Sequence, residues 1–326
     1  MDQIVTKLSP FMAAHPTRLD GAKFRDPLLT AKGEARASVA MAGLKTLWLN
    51  TGTLCNLTCL NCYIESSPTN DALSYLTAAE GLAFLDEIAA LALPVEEIGL
   101  TGGEPFMNPD ILSLIEAPLQ RGLKVLVLTN AMKPMDHRKD GLLALKAQYG
   151  ERLTLRVSLD HYTGLVHEAE RGAGSWAKAL EGLHWLSVHG FNLAVAGRSL
   201  AGESAEDARA GYQALFEGMG VVLDAFNPAA LVLFPEMDAR VDVPEITTAC
   251  WGILHKDPAD LMCASSRMVV KRKGADRPAV VACTLLPYDP QFELGPDLAS
   301  SLEPVALNHP HCAKFCVLGG ASCSAG

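Results

Sequence analysis

From residue 44 to residue 234 the chain alternates short apolar runs with segments of helical periodicity, and this alternation constrains its fold more than any other feature. Strand-length runs fall at 44–49, 98–100, 124–128, 153–159, 191–196 and 230–234. Thr77-Ala78-Ala79-Glu80 is a capping box before a helix whose apolar positions Leu82, Leu85, Ile88 and Leu91 are spaced for one face, with Pro94 closing it. Asn108 caps a second helix with Pro109 at its first position, Pro118 inside it and Gly122 after its end. Further helices are expected over 142–148, from a Ser175 cap through Trp176, Leu180, Leu183 and Leu186 to Gly190, and over 205–216. Six strands with helices between them imply a parallel sheet covered by helices. When such a sheet curls into a barrel, ligands bind at the C-terminal strand ends.

Chemistry sits at those ends. After the first run comes Cys55-Asn56-Leu57-Thr58-Cys59-Leu60-Asn61-Cys62, a C-x3-C-x2-C spacing with no fourth cysteine or histidine nearby to complete a tetrahedral zinc site. Three neighbouring thiolates suit a [4Fe–4S] cluster in which one iron keeps an open position, because such clusters are held by cysteine sulfur. After the second run comes Thr101-Gly102-Gly103-Glu104-Pro105. In this order, and each at a strand end, the two motifs resemble those of the radical S-adenosylmethionine (radical SAM) enzymes. The resemblance implies an α/β fold, a partial (βα)6 TIM-like barrel, in which the open iron chelates the methionyl amine and carboxylate of SAM. It also places the glycine-rich segment against the SAM amino group. Where the family often has an aromatic residue before the third cysteine, this chain has Asn61, and Tyr63 follows the cysteine. The competing reading of the three cysteines is a zinc knuckle completed by a distant ligand such as His161.

The same resemblance supplies expected SAM contacts. Gly102 and Gly103 allow close approach of backbone to ligand, and Glu104 can accept hydrogen bonds from the SAM ammonium. Asn130 ends the third strand; Ser158 and Asp160 end the fourth. The following stretch, Val166 to Gly172, looks like the segment of SPASM/twitch-type members in which a strand-end serine and an arginine contact SAM. That assigns Ser158 and Arg171, whose planar guanidinium suits a carboxylate. The alternative for Arg171 is a surface ion pair with Glu168 or Glu170. His161 and His167 read as surface histidines, Asp160 as the cap of a turn, and no catalytic acid or base is identified.

Beyond residue 249 lie six of the nine cysteines: Cys250, Cys263, Cys283, Cys312, Cys316 and Cys323. Between Cys263 and Cys283 a hairpin is expected, with strands at 267–271 and 279–282 around Lys273-Gly274-Ala275-Asp276. The basic residues Arg267, Lys271, Arg272 and Lys273 read as part of its solvated surface. A cysteine on either side of a hairpin and a cysteine cluster further on resemble the twitch or SPASM extensions of radical SAM enzymes, which carry auxiliary [4Fe–4S] clusters. Two clusters would need about eight thiolates, so one is expected: Cys263, Cys283 and two of Cys312, Cys316 and Cys323, with Cys250 spare. Structural zinc is the alternative for this tail. The expected organisation is a wrapping N-terminal segment 1–42, a radical SAM barrel 43–245 and a cysteine-rich domain 246–326.

Composition narrows the partners. A net charge of −10 argues against nucleic acid, whose phosphates demand basic surface. No apolar run reaches the roughly 18 residues of a membrane span, and the N-terminus lacks a secretory pattern, so a cytoplasmic enzyme is expected. The resemblance implies an electron donor such as flavodoxin or ferredoxin, reductive cleavage of SAM to a 5′-deoxyadenosyl radical, and hydrogen abstraction from a substrate. A small-molecule oxidation assisted by the auxiliary cluster is the favoured outcome, because no N-terminal peptide-recognition domain is evident. Maturation of a ribosomal peptide is the alternative, and a non-catalytic Fe–S or zinc scaffold the reading from another class.

Overall fold

Six parallel strands, hydrogen-bonded in chain order, form the frame: β1 (Thr46–Asn50), β2 (Glu97–Thr101), β3 (Lys124–Thr129), β4 (Leu153–Ser158), β5 (Asn192–Arg198) and β6 (Leu231–Phe234). The structure, a computed structural model, describes residues 9–12 and 16–320. Helices α1 (Ala78–Ala90), α2 (Ile111–Gln120), α3 (Lys139–Tyr149), α4 (Gly164–Arg171), α5 (Ser175–Val188) and α6 (Ala205–Met219) fall between the strands. The result is a partial (βα)6 barrel. Its strand register sets the motifs side by side: Asn50 lies opposite Thr101, Thr129 opposite Val157, and Ser158 opposite Ala196.

Alternation along the strands divides the core in two. Leu47, Leu49, Val125 and Val127 face the helices, where they meet Leu85, Ile88, Leu114 and Ile115. Trp48 and Leu126 face the other way, into a second apolar cluster built largely from the tail. There β7 (Ser266–Val270) lies parallel to β1 in the same sheet, with β8 (Ala279–Val281) and β9 (Glu293–Gly295) following antiparallel. The expected hairpin is therefore part of the central sheet, and its first strand is fully buried. This corrects the reading of its basic residues. Arg267 is buried, and its guanidinium donates to the carbonyls of Cys263, Ser266, Ser301 and Glu303. Lys271, Arg272 and Lys273 pair with Glu80, Glu293 and Asp71.

Local readings of helix ends were partly displaced by packing. The Thr77–Glu80 capping box forms as expected. The buried face of α1 is instead Gly81, Phe84, Leu85 and Ile88, leaving Leu82 and Leu91 exposed. Gly81 permits this, since a Cβ there would stand 2.6 Å from Leu114 Cδ2. Asn108 does not cap α2, which starts at Ile111 after Asp110. Its amide donates to the carbonyls of Thr51 and Leu76, stitching the loop after β1 to the loop before α1. Ser175 is the first residue of α5, and its hydroxyl donates back to Gly172 O. The N-terminal segment packs on the tail: Arg36 pairs with Glu245, and Ser38–Val39 pairs antiparallel with Val305–Ala306. Among the described residues no helix is long and apolar enough to cross a membrane.

Candidate active site

A cavity of about 160 Å³ opens at the C-terminal ends of the barrel strands. Cys55, Cys59, Cys62, Gly102, Gly103, Asn130, Ser158 and Arg171 all line it. The cysteine loop and the glycine segment are bonded to each other: Gly103 N–H donates to Gly52 O at 2.8 Å and Glu104 N–H to Leu54 O at 3.0 Å. Only glycine fits so close. A Cβ on Gly103 would fall 2.2 Å from Leu54 O, and one on Gly102, whose φ is +145°, would fall 2.4 Å from Gly52 O. The glycines thus hold the loop that carries Cys55 as well as exposing backbone to the cavity.

Burial pushes the Cys55 thiol up to about 11 and the Cys59 thiol up to about 12. Both stay protonated at neutral pH until a metal displaces the proton. Backbone N–H groups already point at two of the sulfurs, Leu57 N to Cys55 Sγ at 3.4 Å and Ser66 N to Cys62 Sγ at 3.4 Å. Among the described residues no three His, Cys, Asp or Glu side chains surround a single-ion position. His161 does not line the cavity and is not placed to complete a zinc knuckle: its Nδ1 pairs with Thr163 Oγ1 at 2.8 Å, and its Nε2 lies 3.6 Å from Glu203 Oε2. Three cysteines on one cavity wall, each free to bind a different iron, fit a cluster.

Glu104 is buried behind the wall. Its carboxylate accepts from Phe106 N, from Thr129 Oγ1 at 2.8 Å and from Asn130 N at 2.8 Å. Burial raises its pKa to about 7 despite those bonds. Asn130 lines the cavity, with its amide turned toward Asn56 and Cys55. Arg171 forms no pair with Glu168 or Glu170. It makes a two-bond fork with Asp160, Nε to Oδ2 at 2.8 Å and Nη2 to Oδ1 at 3.0 Å. Burial works against the Asp160 charge, yet the Arg171 guanidinium holds its carboxyl below the usual range.

Two charged residues that the sequence did not single out also line the cavity, Glu170 and Arg198. Arg198 Nη1 lies 3.2 Å from Glu170 Oε1, and its guanidinium lies 4.5 Å from the Phe11 ring centroid. Glu170 also accepts from Ser9 Oγ and from Asn61 N–H, tying the N-terminal segment and the cysteine loop to α4. The signal for Arg198 was its place at the end of the fifth strand, where the strand-end rule applied to strands one to four would have pointed. His161 and His167 are both buried, contrary to their surface reading: His161 stacks on the Tyr162 ring, and His167 is one of the buried residues of α4. The His167 ring packs edge-on to Trp176, and burial lowers its pKa to about 4.

A second, smaller cavity of about 20 Å³ lies in the tail, lined by Cys263, Cys283, Cys312, Cys316 and His311 among apolar side chains. Burial raises Cys263 to about 11 and Cys312 to about 12. Four thiols around one apolar space match the donor set of a single cluster. Cys323 lies outside the described residues, and Cys250 sits elsewhere, its sulfur accepting from Thr247 N–H. Leu285 lines both cavities.

The family model described as the Radical SAM superfamily matches residues 49–208. The chain belongs to the radical SAM superfamily. As in other radical SAM proteins, its cofactors are a [4Fe–4S] cluster and SAM. Among its relatives is the antilisterial bacteriocin subtilosin biosynthesis protein AlbA of Bacillus subtilis, 34% identical over 143 residues, 44% of this chain and 30% of AlbA. Another is the AdoMet-dependent heme synthase of Methanosarcina barkeri, 30% identical over 138 residues, 42% of this chain and 37% of the synthase. The chain thus spans about a third of the length of these curated relatives. The radical SAM fold is shared with Streptococcus suis SuiB, solved with S-adenosylmethionine (TM-score 0.55, 12% identity, 78% of this chain and 63% of SuiB) and with its precursor peptide SuiA (TM-score 0.53).

Proposed function

We propose that this radical SAM enzyme modifies a peptide, with Cys55, Cys59 and Cys62 holding the SAM-binding cluster and Cys263, Cys283, Cys312 and Cys316 an auxiliary one. One observation carries the site assignment: three cysteines, the Gly102–Gly103 backbone, Ser158 and Arg171 share a single cavity at the strand ends. When bound, the cluster and SAM supply a 5′-deoxyadenosyl radical after one electron arrives from a donor such as flavodoxin or ferredoxin. The chain's own residues orient and enclose that chemistry. The Gly102–Gly103 backbone takes the amino end of SAM at close range. Arg171, fixed by Asp160, presents its remaining edge to a carboxylate. Phe234, Met237, Leu285 and Phe315 close the cavity with apolar surface that keeps water from a reactive radical.

The peptide reading replaces the small-molecule preference drawn from the sequence. AlbA is named for the biosynthesis of a bacteriocin, and SuiB was solved with its precursor peptide. The heme synthase relative keeps a small-molecule substrate as the second reading. Anaerobically reconstituted protein given dithionite and SAM is expected to release 5′-deoxyadenosine, and Cys55→Ala is expected to abolish it; no release from the intact protein would reduce it to a scaffold. Co-expression with short open reading frames beside its gene, followed by peptide mass spectrometry, separates the substrates. An unaltered peptide mass in every case returns the choice to a small molecule.

A further inference from the structure

We infer that Asn130 is a positioning residue for the cluster, donating a side-chain hydrogen bond to the Cys55 sulfur and thereby raising the reduction potential. This rests on Cys55, Cys59 and Cys62 being the cluster ligands. Asn130 stands at the end of β3 with 5% of its surface exposed. An asparagine side chain offers two N–H donors and one carbonyl acceptor. Here each has a partner within the protein. Nδ2 lies 2.9 Å from Asn56 Oδ1 and 3.9 Å from Cys55 Sγ, and Oδ1 accepts from Met132 N–H at 3.1 Å. The backbone N–H donates to Glu104 Oε2 at 2.8 Å, which fixes the residue from behind. Asn56 in turn directs its own Nδ2 toward Met132 Sδ at 3.9 Å, so the carbonyl that faces Asn130 is held in place.

Those bonds leave no uncommitted N–H on Asn130 for SAM. They aim one at sulfur. The contact to Cys55 is long while the sulfur is a neutral thiol, and it strengthens when the sulfur is a metal-bound thiolate, because bonds to charged acceptors are shorter and stronger. Hydrogen bonds to cluster sulfurs favour the more negative, reduced state and so move its potential upward. The donors from Leu57 and Ser66 are backbone N–H groups that side-chain substitution leaves in place. Asn130 is the adjustable one.

The test is a redox titration of the reconstituted full chain, followed by electron paramagnetic resonance, comparing the intact protein with Asn130→Ala. The signal that changes on adding SAM identifies the relevant cluster. The expected result is a lower midpoint potential with unchanged iron content and unchanged SAM affinity by equilibrium dialysis. Should Asn130→Ala fail to load iron, Asn130→Ser serves instead, since its hydroxyl can still accept from Met132 N–H but is too short to reach Cys55. An unmoved midpoint overturns the inference, and an unmoved midpoint with weakened SAM binding makes Asn130 a SAM contact instead. Failure of the intact protein to form a SAM-responsive cluster would sink the underlying ligand assignment, a result distinct from either.

Discussion

Glu104 shows how a residue's neighbours change its chemistry. Its carboxyl is buried behind the cavity wall with a pKa raised to about 7, so the folded protein favours the protonated form relative to the unfolded chain. The associated stability is fully present below the unfolded carboxyl value near 4.5 and is lost as pH rises through about 7. Glu104→Gln, which cannot ionise, is expected to flatten that dependence. Unfolding free energies of metal-free protein from urea titrations between about pH 5 and 8 should diverge by up to about 2.5 kcal/mol, the intact protein losing stability relative to the variant as pH rises. At this scale the sequence was legible where chemistry is local. Cys55, Cys59 and Cys62 and the Gly102–Gly103 pair stood out together, by their spacing, their order and their places after two strands, and the structure brings them to one cavity. Glu170 and Arg198 did not stand out, because which polar side chains reach one cavity depends on strand register and on how α4 lies over it. The partner of Arg171 was missed for the same reason: Asp160 is separated from it by a loop and the length of α4, whereas the adjacent glutamates only look closer in the chain.

Elements were read from periodicity, and the six barrel strands all formed close to their expected positions. What periodicity could not supply was the tertiary use of an individual residue. Asn108 had the right identity for a cap, but it was drawn into bonding two loops. The face of α1 was shifted by Gly81, whose value lies in contact with Leu114 rather than in the helix itself. The glycine segment after β2 makes the sharpest prediction here. Gly103→Ala places a methyl 2.2 Å from the Leu54 carbonyl, a backbone atom one residue from Cys55 that cannot step aside alone. Reconstituted Gly103→Ala is expected to lose most of the iron bound at this site while keeping its helical circular dichroism. Full iron loading would show that the two loops tolerate separation.

Across the whole molecule, the tail and barrel share one sheet and one side of the core. Trp48 and Leu126 of the barrel pack with Met268, Val270 and Val281 of the tail. Composition marked where the cysteines change density, but not that β7 would sit against β1, a pairing between residues far apart in the chain. Removal of residues 246–326 is therefore expected to give insoluble protein rather than a working barrel, scored by size-exclusion chromatography; a monomeric, SAM-cleaving fragment would contradict this. Replacement of Cys312 and Cys316 together by serine makes a milder change. Iron content should fall from about eight to about four per chain if the tail holds one cluster of four irons, with 5′-deoxyadenosine release retained and peptide modification lost.

The insertion of β7 beside β1 also sets an order of events during synthesis. Until the ribosome has delivered Ser266–Val270, the strand leading into the cysteine loop has one bare edge, and Trp48 lacks its tail neighbours Met268 and Val270. Long-range pairings of this kind form late. The edge of β1 therefore stays open until Ser266–Val270 has been made, and the arrival of the C-terminal part closes it.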